Sequence, residues 1–155
     1  IEKICLENPG IVVPANYNAP NQIVISGETH AIEKVCEKLM NIGAKRTVIL
    51  PVGGAFHSPI MNSAKESLKI AINNTKVTKP ICPIYQNVSA RAITDPINIK
   101  NNLIQQLTHP VKWFQTIQTM ITNGATKFLE VGPGKVLTGL NRRINRDIES
   151  VTVNL

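Results

Sequence analysis

Apolar residues recur along this chain in two rhythms, and each change of rhythm marks an element. After a short helical start, residues 12–17 and 22–26 are β-prone stretches separated by Asn18-Ala19-Pro20-Asn21, whose Asn and Pro favour a turn; the pattern predicts a hairpin. Ile32, Val35, Cys36, Leu39 and Met40 then fall at i, i+3, i+4, i+7 and i+8, the spacing of one helix face. Thr29 offers a cap at its start and Gly43 a left-handed residue at its end. Residues 45–50 read as a third strand.

Pro51-Val52-Gly53-Gly54 breaks this pattern and divides the chain into 1–50 and 51–155. Beyond it, Pro59 opens a helix over 59–73 with Met61, Ala64, Leu68, Ala71 and Ile72 along one face, and 83–88 is a short strand. Asp95-Pro96 reads as an N-cap followed by a first-turn proline, starting a helix that buries Ile99, Leu103, Ile104 and Leu107. Pro110 starts another, with Trp113, Phe114, Ile117, Met120 and Ile121 facing inward and Asn123-Gly124 ending it. Residues 127–131 read as a buried strand. Gly132-Pro133-Gly134 then turns the chain into a last helix, 135–147, with Val136, Leu137, Leu140 and Ile144 inward. Strands alternating with helices predict an α/β layer for 59–147. The first 50 residues are a small α+β layer similar to part of a ferredoxin-like unit, which would need another strand and helix before Ile1.

Composition narrows the function. The chain has 155 residues, 43% hydrophobic and 17% charged, which suits a folded domain rather than a disordered one. No apolar run approaches the ~18 residues of a membrane helix. Ile1-Glu2-Lys3-Ile4-Cys5 has neither an initiating Met nor the order of a signal peptide, so a piece of a longer chain is expected. Cys5, Cys36 and Cys82 are odd in number and far apart, which fits a reducing cytoplasm and neither a disulfide framework nor a zinc site. His30 and His109 have no partners at metal-ligand spacing, so no metal is expected. The net charge is +7, yet only 4% of residues are aromatic and the basic residues are scattered. With few stacking platforms, an acidic protein or an anionic small molecule is a better partner than nucleic acid.

The chemistry concentrates at Gly53-Gly54-Ala55-Phe56-His57-Ser58. His57 sits in a Gly-rich loop between elements, and an imidazole with an ordinary pKa of about 6.5 can accept a proton at neutral pH. This block, the run 14–27 (Pro-Ala-Asn-Tyr-Asn-Ala-Pro-Asn-Gln-Ile-Val-Ile-Ser-Gly), the run 106–113 (Gln-Leu-Thr-His-Pro-Val-Lys-Trp) and the run 130–137 (Glu-Val-Gly-Pro-Gly-Lys-Val-Leu) occur in order. Together they resemble the C-terminal half of the malonyl-CoA:acyl-carrier-protein transacylases, and the resemblance fades only after about Ile144.

The resemblance implies an α/β fold: part of a large, hydrolase-like acyltransferase domain over 51–155, and part of a ferredoxin-like small subdomain over 1–50. It implies transfer of malonyl from malonyl-CoA to the phosphopantetheine thiol of acyl carrier protein, by a Ser-His ping-pong mechanism without a bound cofactor. His57 would be the general base, and the backbone carbonyl of Gln106 would orient its ring in place of a triad carboxylate. Phe56 would exclude branched acyl groups, and Asn16 and Asn18 would lie on a hairpin overhanging the substrate cleft. Lys135, Arg142, Arg143 and Arg146 give the last helix a basic face, either simply solvated or docking the acidic carrier protein.

Two parts of such an enzyme are not in this sequence. The serines are Ser26, Ser58, Ser63, Ser67, Ser89 and Ser150, and none lies in a Gly-x-Ser-x-Gly elbow. The family's carboxylate-clamping Arg would precede Ile1, and neither Arg46 nor Arg91 has the matching context. The chain alone is therefore expected to be inactive. The alternatives are a non-catalytic remnant that binds carrier protein and an acyltransferase module of polyketide type. Gly132-Pro133-Gly134-Lys135 lacks the order of a phosphate-binding loop and reads as a strand-to-helix turn.

Overall fold

The computed structural model describes residues 1–153. Its first layer is a short helix α1 (Glu2–Leu6), a hairpin of β1 (Val12–Ala19) and β2 (Gln22–Gly27), and a helix α2 (Thr29–Asn41). β1 runs two residues further than its β-prone core and β2 one, so the turn shrinks to Pro20-Asn21. Their antiparallel register slips between Pro14 and Asn16 and again between Tyr17 and Ala19, leaving Ala15 and Asn18 as bulged positions. Val35 and Leu39 of α2 pack with Ala31, Cys5 and Val12 into one buried cluster.

Helix α2 ends as its glycine predicts. Gly43 takes φ 102°, and Ala44 N–H donates to Leu39 O at 2.9 Å, closing the last turn. Its start differs, because Glu28 and not Thr29 is the N-cap. The Glu28 carboxylate is engaged elsewhere: Oε2 accepts from Ile11 N–H at 2.9 Å while Glu28 N–H donates to Ile11 O at 2.8 Å.

The expected strand over 45–50 does not form. Those residues pair with no strand among the described residues, and Val48, Ile49 and Leu50 are exposed. β-prone side chains make a strand only where a neighbouring edge offers ladder hydrogen bonds.

The second part begins with a 3-10 turn, Pro59–Met61, that runs into α3 (Asn62–Asn74). No residue of α3 is buried; Ala64 and Ala71 are exposed, so its apolar stripe is only partly covered where it meets α4 (Pro96–Gln105). Asp95 caps α4 as expected, its Oδ2 accepting from Asn98 N–H at 2.9 Å, and Ile99 and Ile104 are buried. The strand expected over 83–88 contracts to β3 (Ile84–Tyr85), paired with a two-residue β4 (Ala92–Ile93).

Helix α5 (Trp113–Thr122) starts later than Pro110 because the intervening backbone is already committed. Val111 N–H donates to Ala15 O, Tyr17 N–H to Val111 O and Lys112 N–H to Asn87 O. Asn123-Gly124 ends α5 as predicted, with Gly124 at φ 94°.

The chain closes with β5 (Lys127–Val131), α6 (Val136–Ile144) and β6 (Glu149–Val153), the two strands lying parallel in register. β5 was expected to be buried, but Leu129 and Val131 are exposed; α6 covers only one face of this small sheet. Val136 and Leu137 likewise face solvent, and Thr138, Leu140 and Asn141 are the buried residues of α6. The polar contacts made by Glu130, Thr152 and Ser150 turn the helix that way. Among the described residues no helix is long and apolar enough to cross a membrane, and no cluster of His, Cys, Asp or Glu could hold a metal.

Candidate active site

The loop 53–58 reaches the end of α4 through two hydrogen bonds from one residue. His57 N–H donates to Leu107 O at 3.1 Å, and His57 Nδ1 lies 2.7 Å from Gln106 O. A carbonyl can only accept, so this contact places the proton on Nδ1 and leaves the Nε2 lone pair for other work. Gln106 is the C-cap of α4, where carbonyl groups lack intrahelical partners. The helix therefore presents a free acceptor at its C-terminal end.

His57 is also a backbone exception, a non-glycine residue at φ 60°. Side-chain residues rarely adopt this left-handed region, and such outliers persist only when their surroundings hold them. Ser58, directly after it, is fully buried and donates from Oγ to Ala55 O at 2.6 Å. That hydroxyl is not available as a nucleophile. Phe56, directly before His57, is half exposed and folds over Gly54, where a Cβ would come within 3.2 Å of its ring.

The segment 106–112 links this loop to the hairpin. At one end it holds His57; at the other, Val111 bridges Asn16 of β1 in parallel fashion. Asn16 and Asn18, both partly exposed, are thereby tied to the same backbone segment as His57, with Asn18 at the second slip in the register. A contact not foreseen from the sequence lies alongside: His109 Nδ1 is 2.8 Å from Gln105 O, the carbonyl just before that of Gln106. A histidine three to four residues beyond a helix end is the available signal, since its ring can reach the last carbonyls.

The basic residues of α6 do not form one cluster. Lys135 is its N-cap and lies about 10 Å along the helix from Arg142. Arg143 Nη1 donates to Gln22 Oε1 at 2.7 Å and so braces the hairpin. Arg142 and Arg146 line an open groove of about 540 Å³ shared with Asp147 and Glu149. At the opposite end of α6, Glu130 Oε1 accepts from Leu137 N–H at 3.0 Å and Oε2 from Thr138 N–H at 2.7 Å. These bonds, Thr138's foremost, hold the Glu130 carboxyl below its ordinary pKa. They also occupy the amide groups at the start of α6 that an anion would need.

The acyl transferase domain family matches residues 2–153. The malonyl CoA-acyl carrier protein transacylase of Bacillus subtilis strain 168 is 40% identical over 148 residues, covering 96% of this chain and 47% of its own. An acyl-carrier-protein S-malonyltransferase from Bartonella henselae superposes with a TM-score of 0.94 at 45% identity, over 98% of this chain and 49% of that one. A malonyl-transacylase solved in complex with its type II PKS acyl-carrier protein superposes at 0.95 and 34% identity, over 99% and 50%. The chain spans about half the length of the relatives it matches. With nearly every residue inside the matched region, the chain belongs to the acyl transferase domain family.

Proposed function

We propose that this chain supplies the His-bearing half of a malonyltransferase, which moves malonyl from malonyl-CoA to the phosphopantetheine thiol of acyl carrier protein. The observation that carries the reading is the 2.7 Å contact of His57 Nδ1 with Gln106 O. It leaves Nε2 as the atom with a free lone pair, the one that can accept a proton. In this mechanism His57 accepts the proton of a serine as that oxygen attacks the thioester carbonyl, then gives it to the sulfur of coenzyme A as the carbon–sulfur bond breaks, so that coenzyme A leaves as its thiol and the imidazole is basic again. His57 then accepts the proton of the carrier-protein thiol, whose sulfur attacks the acyl-enzyme and frees the serine. No bound cofactor takes part.

The nucleophilic serine and the arginine that holds the malonyl carboxylate are assigned to sequence outside these 155 residues. Phe56, beside His57 and half exposed, is assigned the exclusion of α-branched acyl groups, worth about 1–3 kcal/mol per methylene. Asn16 and Asn18 are assigned to the cleft wall, with residues 1–50 as the small subdomain and 51–155 as part of the large one. For carrier-protein docking, the exposed Arg142 and Arg146 are the better candidates of the four, with Lys135 apart and Arg143 engaged by Gln22.

Mass spectrometry after mixing with malonyl-CoA tests the reading. The 155-residue chain should gain no malonyl group, and a chain extended upstream through a Gly-x-Ser-x-Gly element should gain one that acyl carrier protein then removes. Labelling of the short chain, or no labelling of the long one, would overturn it.

A further inference from the structure

The left-handed backbone of His57 needs a holder, and the hydrogen bonds on either side of it identify one. The Ser58 hydroxyl reaches back to Ala55, donating to its carbonyl oxygen at 2.6 Å, and forward to Ile60, accepting from its N–H at 3.3 Å. One oxygen atom thus clasps the residues that flank His57 on both sides. Ser58 has no exposed surface, so water cannot stand in for that oxygen. The forward bond also makes Ser58 the N-cap of the 3-10 turn Pro59–Met61, whose proline fixes the backbone directly after the clasp.

We propose that Ser58 is a positioning residue for His57: by closing the 55–60 loop, its hydroxyl holds the φ 60° backbone that aims Nδ1 at Gln106 O. The inference rests on the reading of His57 as the base. It adds that the ring's direction is set from two sides, by the acceptor at the end of α4 and by the clasp within its own loop. Without the clasp, His57 relaxes toward the negative φ that side-chain residues prefer, and the ring leaves the carbonyl. Nδ1 then loses its preferred acceptor, and the proton distributes over both ring nitrogens.

Nitrogen-detected NMR of the imidazole reads this directly in the 155-residue chain, because the shifts of Nδ1 and Nε2 report which one is protonated. In the unaltered chain His57 should be held as the Nδ1–H tautomer. Ser58→Ala should convert it to a mixture while amide signals outside 53–62 keep their positions. Ser58→Thr, which keeps the hydroxyl and suits the extended φ of −127° at this position, should restore the single tautomer. A mixed tautomer in the unaltered chain would overturn the reading of His57 on which the proposal rests. A locked ring in Ser58→Ala would overturn the proposal while leaving that reading intact. Loss of dispersed amide signals throughout Ser58→Ala, or failure of Ser58→Thr to restore the tautomer, would make the role one of general folding and also overturn it.

Discussion

His57 Nδ1 and the backbone oxygen of Gln106 lie 2.7 Å apart, although 49 residues separate them in the chain. A triad carboxylate would occupy this place in many hydrolases, and in the proposed mechanism a main-chain acceptor takes that orienting role. The contact uses no side-chain atom of Gln106. In a chain extended to include a nucleophile, Gln106→Ala should leave malonyl transfer within a few-fold of the original rate. His57→Ala should lower it by about 10²–10⁴-fold, the usual contribution of a general base. Steady-state transfer assays of the two variants side by side check the pair: a large loss in the first would shift the role to the side chain, and a near-original rate in the second would remove His57 from the mechanism.

Glu130 predicts an acid-side stability effect of definite sign. Its carboxylate accepts from two amides at the start of α6, and these bonds exist in full only while it is ionised. The folded pKa is lowered, so this stabilisation is fully present above the ordinary carboxyl value of about 4.3 and is lost as pH falls through the lower folded value. Glu130→Gln should lower the thermal midpoint near neutral pH, and the difference from the unaltered chain should shrink as pH falls through that window. Thermal melts at a series of pH values measure it, and a difference that grows on acidification would contradict the assignment.

Local chemistry was the legible part of this fold. Gly43 and Gly124 end their helices at positive φ, Asp95 caps α4, and the hairpin forms, because each depends on residues within a few positions of one another. Burial was less legible, since it depends on what lies across from a face. The exposed Leu129 and Val131 of β5, the only partly covered stripe of α3 and the unpaired residues 45–50 all carry apolar patterns that find little cover among the described residues. The strand β6 went unread because Ser150 and Thr152 face α6 with polar atoms where a hydrophobic alternation would look for aliphatic ones. At the site, the position of His57 was readable from its loop. The clasp of Ser58 and the ring of His109 on Gln105 O were not, because side-chain contacts to backbone leave no periodic trace.

The contrast between covered and uncovered apolar positions is itself testable. Ile117 of α5 is 1% exposed and Leu129 of β5 is 58% exposed. Ile117→Ala should cost about 2–5 kcal/mol, from lost transfer energy and the cavity left behind. Leu129→Ala should stay within about 0.5 kcal/mol in this chain. Urea titrations of both variants check the difference, and equal losses would mean that β5 is covered in solution.

Outside the candidate site, Asn141 links three elements. Its Oδ1 accepts from Trp113 Nε1–H at 3.2 Å and its Nδ2 donates to Ser150 Oγ at 3.1 Å, joining α5, α6 and β6 through one side chain. Asn141 and Ser150 are both buried, so the Ser150 hydroxyl cannot turn to bulk water if the amide is removed, whereas Trp113 is only half-buried. Asn141→Leu keeps the volume and strands the Ser150 hydroxyl, which should cost about 1–3 kcal/mol. Ser150→Ala in the same background should recover part of that loss, because it removes the orphaned group instead of leaving it buried. A double-mutant cycle over the two positions, read from urea unfolding, should therefore give a coupling energy well away from zero. Strict additivity would mean that the three elements are held together by apolar contact alone and that Asn141 is a tolerated polar residue rather than their link.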